Sequence, residues 1–200
     1  SVAGRTTKTF TKEVMDNPDK LVLTEIEAEQ IRIMQASAMA HPKFSEMIHA
    51  EGDRESSIIV NIDGVDLKVR PDIDLVKSMG VVGDLKTTAN ISDWRSDTKW
   101  KNPLWTHGYG HTAAFYLNAM SAYYGVEIDA YSFMIMQKSV ELGRYPVAVF
   151  TITLDELHHY GFYQQMLDNV EKYKECKSSG NWVFDEQFPD FYVADTSIEF

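Results

Sequence analysis

The sequence predicts an α/β fold, with a mixed central β-sheet of about five strands flanked by helices. Three observations carry that expectation. Two Thr-x-x-Glu capping boxes, Thr24 to Glu27 and Thr153 to Glu156, each open a run of helical periodicity. Apolar residues alternate on both sides of Asp63-Gly64, which is the pattern of a β-hairpin. Further alternating runs at 81–87, 131–137 and 147–152 supply the other strands. No repeat, low-complexity tract or linker divides the chain, so residues 1–200 are expected to form a single domain.

The first capping box starts a helix over 24–40, with Ile31, Met34 and Ala38 at helical spacing, and the pattern stops at His41-Pro42. Ile58, Val60 and Ile62 then alternate up to the turn, and Val65, Leu67 and Val69 resume the alternation after it. A third strand over 81–87 follows a loop at Met79-Gly80. Residues 92–106 contain three tryptophans and Pro103 without a clean period, and are expected to be irregular and near the site. Ala113, Tyr116, Leu117, Met120 and Tyr124 form a helical stripe that Gly125 ends. The second capping box opens a last helix, expected to run to about residue 178 with Met166, Leu167, Val170 and Tyr173 inward.

Composition narrows the class. With 44% hydrophobic residues in 200, the chain can bury a sizeable core. No run of about 18 apolar residues and no basic start before an apolar stretch is present, so neither a membrane span nor secretion is expected, and the location expected is cytoplasmic. The single Cys176 excludes an internal disulfide and any site built from several thiolates. Because the chain opens on Ser1, further N-terminal elements of a longer protein are allowed for. The net charge of −11 disfavours nonspecific adhesion to a polyanion, so nucleic acid would need a locally basic site or metal ions. Lys68, Arg70, Lys77, Lys86, Arg95, Lys99 and Lys101 all fall in one third of the chain.

That same third carries the chemistry. In a strand, residues two apart share a face, so Asp84 and Lys86 point one way and Leu85 the other, toward apolar packing. Arg70, Asp72 and Asp74 lie on the outer face of the strand that precedes them if Val65, Leu67 and Val69 face the core. Pairing the two strands brings Asp72, Asp84 and Lys86 together. Adjacent carboxylates raise one another's pKa unless a cation lies between them, and oxygen ligands of this kind suit Mg2+ or Mn2+. A lysine beside such an ion can orient a water or stabilise charge on a phosphate. The competing reading makes these ordinary charges at strand ends, with Lys86 paired to Asp84.

The spacing favours the chemical reading. Pro71-Asp72, an interval of eleven residues, and Asp84-Leu85-Lys86 after Val81-Val82 match the PD-(D/E)XK nuclease signature in residue type and strand context. With Glu55-Ser56, Arg70-Pro71-Asp72, Gly83 to Thr88, Tyr109, Ala113-Ala114-Phe115-Tyr116, Cys176, Gly180 and Trp182, the chain resembles the exonuclease VIII (RecE-type) recombination nucleases and, more distantly, lambda exonuclease. The resemblance covers residues 5–185 and implies a restriction-endonuclease-like core. It implies that Asp72, Asp84 and the Leu85 carbonyl hold the metal, that Glu55 is a further acid and that Lys86 is the catalytic lysine. It also implies DNA contacts from Arg70, Thr88, His111, Thr112 and Tyr116. At 112 this chain has threonine where the family usually carries glutamine, and the RecE-type histidine upstream of the position matching Arg5 has no counterpart here.

The function so implied is a Mg2+-dependent exonuclease, with Mn2+ able to substitute, that hydrolyses duplex DNA ends for recombination or repair and is of phage or prophage type. Expected partners are double-stranded DNA ends and a single-strand annealing protein, with a homo-oligomeric ring of three or four subunits around the DNA. The alternatives are a structure-specific or restriction-like endonuclease and a noncatalytic DNA-binding module. Glu51 reads as a loop charge and Asp74 as a strand terminator. His107 and His111 lack a third ligand for a zinc site, and Trp94, Trp100 and Trp105 are candidates for base stacking or for anchoring the core.

Overall fold

The computed structural model describes residues 4–182 of the chain; the outer residues of the expected 1–200 domain lie outside the described ones. Three helices come first: α1 (Lys8–Asp16), α2 (Glu25–Ala40) and α3 (Pro42–His49). The Thr24–Glu27 capping box forms in full, each side chain meeting the other's backbone amide. His41 ends α2 and also starts α3, its Nδ1 accepting from Phe44 N at 3.2 Å with Pro42 in the first turn. In α2 only Ala38 is buried; Ile31 is exposed.

The strands are β1 (Asp53–Arg54), β2 (Ile58–Ile62), β3 (Val65–Val69), β4 (Ile73–Leu75), β5 (Val81–Thr88), β6 (Ala130–Gln137) and β7 (Val147–Thr153). The central sheet is mixed and has five strands in the order β1-β4-β5-β6-β7, as the fold class predicted, but its membership differs from the expectation. The hairpin β2–β3 forms in the expected register and stands apart as a sheet of two strands. Alternation shows that two runs pair with each other, not which sheet they join. The place next to β5 is taken by β4, whose three residues are all buried and therefore show no alternation.

Between β5 and its parallel neighbour β6 the chain makes a 3-10 turn over Ile91–Arg95, the short helix α5 (Pro103–Thr106) and the long helix α6 (Tyr109–Tyr124). The stretch 92–106, expected to be irregular, is so only over 96–102, between the 3-10 turn and α5. Trp94 is buried and stacks on Tyr109 at 5.5 Å, Trp105 packs on Phe162, and Trp100 is exposed. The chain closes with α4 (Val76–Met79) before β5 and with α7 (Leu154–His159) and α8 (Phe162–Ser179) after β7. The last helix is thus two helices rather than one. Its capping box forms as predicted, but Gly161 at φ 82 ends the first turn-and-a-half and redirects the chain. That break turns Met166 inward, while Leu167 and Tyr173 are exposed.

Two apolar clusters cover the two faces of the sheet. Val82, Tyr131, Phe133 and Ile135 pack with Ala113, Ala114, Leu117 and Met120 of α6 and with the hairpin. Ile73, Leu75, Val81 and Met134 pack with Ala38, Phe44 and Met47 of α2 and α3. Leu85 lies past the cover of this second layer and is 45% exposed, so the expected apolar packing of its side chain is absent.

Candidate active site

The site grows out of the β4–β5 pairing. These strands are antiparallel with Ile73 opposite Gly83, and one step further along the register sets Asp72 against Asp84. Asp72 is held at that point from several sides. Its Oδ2 accepts from Leu85 N at 2.6 Å, and its carbonyl accepts from Glu55 N at 3.3 Å. The phenol of Tyr116 accepts from Arg70 N at 3.4 Å and donates to Arg70 O at 3.3 Å, so α6 fixes the backbone just before Pro71-Asp72.

Asp84 is the buried member of the pair, with 7% of its surface exposed. The Lys86 ammonium forms an ion pair with its Oδ2, as two residues on one face of a strand allow. Among the described residues no other donor completes a hydrogen bond to that buried oxygen. Burial pushes the Asp84 carboxyl up to about 6; Lys86 opposes the rise and the Asp72 carboxylate adds to it. Lys86 in turn lies 5.2 Å from the centre of the Tyr109 ring, near the start of α6.

Three further side chains belong to this environment: Tyr131 and Tyr124, which the sequence shows only as members of apolar patterns, and Asp74, expected at an outward-facing strand end but buried. Tyr131 on β6 is fully buried, its hydroxyl has no hydrogen-bond partner among the described residues, and burial first, then Asp84, pushes its phenol well above the usual tyrosine range. Its ring meets Tyr116 edge-on at 5.9 Å. In the sequence it reads only as one apolar residue of an alternating strand. Asp74 is also buried; Tyr124 donates to its Oδ2 at 2.6 Å and Val76 N to its Oδ1 at 3.1 Å, locking the end of α6 to β4. Burial, then Asp74, pushes the Tyr124 phenol up.

The other predicted residues sit as follows. Glu55 follows β1 with φ 54, is exposed, and pairs with Arg70 Nε at 3.1 Å. Thr112 lies one helical turn from Tyr109 and Tyr116, and its hydroxyl donates to Gly108 O at 3.3 Å. Thr88 lines a cleft of about 530 Å3 beyond Lys86, together with Trp100, Lys101, His107, Tyr109 and Lys138. His111 is turned away from this cleft, into a trough between β3, α6 and α8, with its ring edge-on to Phe162 at 5.1 Å. Glu51 is exposed, in line with a loop charge.

Among the described residues no group of three or more His, Cys, Asp or Glu side chains is close enough to share a metal ion. The protein's own carboxylate contribution is therefore the Asp72–Asp84 pair. That pair fits a hard divalent cation: the buried Asp84 oxygen has Lys86 as its one partner among the described residues, and the adjacent Asp72 carboxylate still raises the Asp84 carboxyl.

The mixed sheet is that of a PD-(D/E)XK-like core, and the family comparison agrees. The chain belongs to the family described as PDDEXK-like domain of unknown function (DUF3799), whose model matches residues 4–184. Among solved structures it is similar to the one named "Putative exonuclease" from Eubacterium rectale, at 19% identity and a TM-score of 0.56, covering 82% of this chain and 58% of that one. The chain thus spans less than two thirds of that relative. Looser overlays are with SSO0001, at 14% identity, a TM-score of 0.36 and 84% and 88% of the two chains, and with an alkaline exonuclease (LHK-Exo) from Laribacter hongkongensis, at 9%, 0.33, and 88% and 89%. No curated protein matches the chain. Among the described residues no helix is long and apolar enough to cross a membrane.

Proposed function

We propose that this chain is a metal-dependent deoxyribonuclease acting as an exonuclease on duplex DNA ends, in recombination or repair and of phage or prophage type. One observation carries the reading: Asp72 and Asp84 meet at the β4–β5 register with Lys86 on the buried Asp84 oxygen. Asp72, Asp84 and the main-chain carbonyl of Leu85 would hold Mg2+, or Mn2+ in its place; the bound ion supplies positive charge that polarises a phosphate and acidifies a water. Lys86 orients that water beside Asp84, and the Tyr109 ring limits where its ammonium can go. Glu55 is the further acid, held beside Asp72 by its own amide.

For the DNA, the cleft beyond Lys86 offers Thr88, Lys101 and Lys138 to phosphates and the exposed Trp100 to a base. Arg70 pairs with Glu55, which is held beside Asp72, Thr112 lies between Tyr109 and Tyr116 along α6, and Tyr116 acts on the strand through the backbone it anchors. His111 faces the trough instead, where its part in DNA contact would be indirect. A ring of three or four subunits and a single-strand annealing partner complete the proposal, because a chain at −11 has few cations with which to retain a long polyanion by affinity alone. The test is digestion of linear and covalently closed duplex DNA with Mg2+ and with chelator. The proposal expects loss of linear DNA with Mg2+ only; cutting of closed circles would make the enzyme an endonuclease, and cutting in chelator would remove the metal.

A further inference from the structure

Tyr131 sits where the candidate site meets the core. In the parallel register of β5 and β6 it lies opposite Val82, and Phe133 lies opposite Asp84. Residues two apart on a strand share a face, and Val82, Tyr131 and Phe133 pack against α6, so Asp84 points to that side as well. Tyr131 and Asp84 are therefore diagonal neighbours, about 8 Å apart at Cα, given ~4.8 Å between strands and ~3.3 Å per residue along them. An aromatic side chain spans such a diagonal.

The ring is held in place from two sides. Its centre lies 5.0 Å from that of Phe133 and 5.9 Å, edge-on, from that of Tyr116. Tyr116 is tied through its own hydroxyl to the backbone of Arg70, just before Pro71-Asp72. Besides burial, Asp84 and then Tyr116 and Asp72 raise the Tyr131 phenol, so the hydroxyl lies within the field of both carboxylates. It is fully buried, and no hydrogen-bond partner for it is found among the described residues. Asp84 Oδ2 is buried with it and has the Lys86 ammonium as its one partner there. One group is a donor and the other an acceptor. A buried hydroxyl without a partner costs free energy that phenylalanine, with the same ring, would not. Packing alone therefore gives no reason for a tyrosine at this position.

We propose that Tyr131 is a positioning residue for Asp84: its hydroxyl donates to the Asp84 carboxylate and fixes the orientation in which that carboxylate meets a divalent cation. A carboxylate that holds a cation through one oxygen calls for a donor at the other. In the structure the Lys86 ammonium supplies it; with Tyr131 in that part, the ammonium is free to act on a water or a phosphate. The inference rests on the reading of the Asp72–Asp84 pair as a cation site.

Tyr131→Phe removes the hydroxyl and keeps the ring, and two measurements on it test the proposal: Mn2+ binding by water-proton relaxation, and urea unfolding in chelator. Mn2+ should bind about tenfold more weakly than to the wild type, while the urea midpoint in chelator stays the same or rises, since the lost group had no partner in the fold. In the wild type itself the Tyr131 hydroxyl proton should exchange with water more slowly in Mg2+ than in chelator. Equal Mn2+ affinity in the two proteins would overturn the proposal and leave the cation site standing, as would a hydroxyl exchange rate that ignores Mg2+. A lowered midpoint in chelator would make the hydroxyl a structural part of the fold, which also overturns it. A wild type that binds no Mn2+ would overturn the cation site and this inference with it.

Discussion

Changing Asp84 to asparagine separates the cost of this carboxylate from its use. Burial lifts the folded-state carboxyl to about 6 from an ordinary 3.8. At about 1.4 kcal/mol per pH unit of difference, ionised Asp84 destabilises the metal-free fold by about 3 kcal/mol. A carboxyl raised by folding favours the folded state fully below the unfolded value, and that advantage is lost as pH rises through the folded one. Wild type should therefore lose stability relative to Asp84→Asn as pH rises from 4.5 to 8, by about 2 of those 3 kcal/mol, the rest having gone below pH 4.5. Urea unfolding of both proteins in chelator, at several pH values across that range, gives the difference directly. Saturating Mg2+ should reverse the trend for wild type alone, since the ion replaces the proton at the pair. A difference between the two proteins that stays flat with pH would refute the burial argument.

Removing the Lys86 amine in Lys86→Ala should lower the cleavage rate by about 100-fold or more while the circular dichroism spectrum is kept; wild-type rates would return Lys86 to a strand-end ion pair. Tyr124→Phe leaves buried Asp74 Oδ2 without its donor and should cost about 1–3 kcal/mol in urea unfolding, an unchanged midpoint arguing against the latch between α6 and β4. A methyl at Gly110 would overlap the Phe162 ring, so Gly110→Ala should cost about 1–3 kcal/mol by overpacking, read as a lower melting temperature; no change would show that the α6–α8 contact yields freely.

The candidate site was more legible in the sequence than the sheet that carries it. Asp84 and Lys86 share a face because a strand repeats every two residues, and the Pro71-Asp72 spacing supplied the opposing carboxylate. What the sequence could not show was that β4, not β3, presents Asp72: Ile73, Asp74 and Leu75 are buried on both faces, and a three-residue strand leaves no period to read. Tyr131 was hidden for a related reason, since a buried tyrosine in an apolar strand looks like core until its neighbours are known. Gly161 was a readable signal that the helical period over 153–178 overrode; a glycine following a capped turn ends that turn. Leu85 was misplaced because alternation assigns a face but not whether another layer covers it.

The claim on which the functional reading rests is that Asp72 and Asp84 form one cation site, and paramagnetic broadening by Mn2+ tests it most directly. Substoichiometric Mn2+ added to the isotopically labelled protein should broaden the amide signals of Asp72, Asp84 and Leu85 first, and Asp84→Asn should abolish that pattern. Broadening centred on the acidic residues of α8, or a pattern unchanged in Asp84→Asn, would contradict the site.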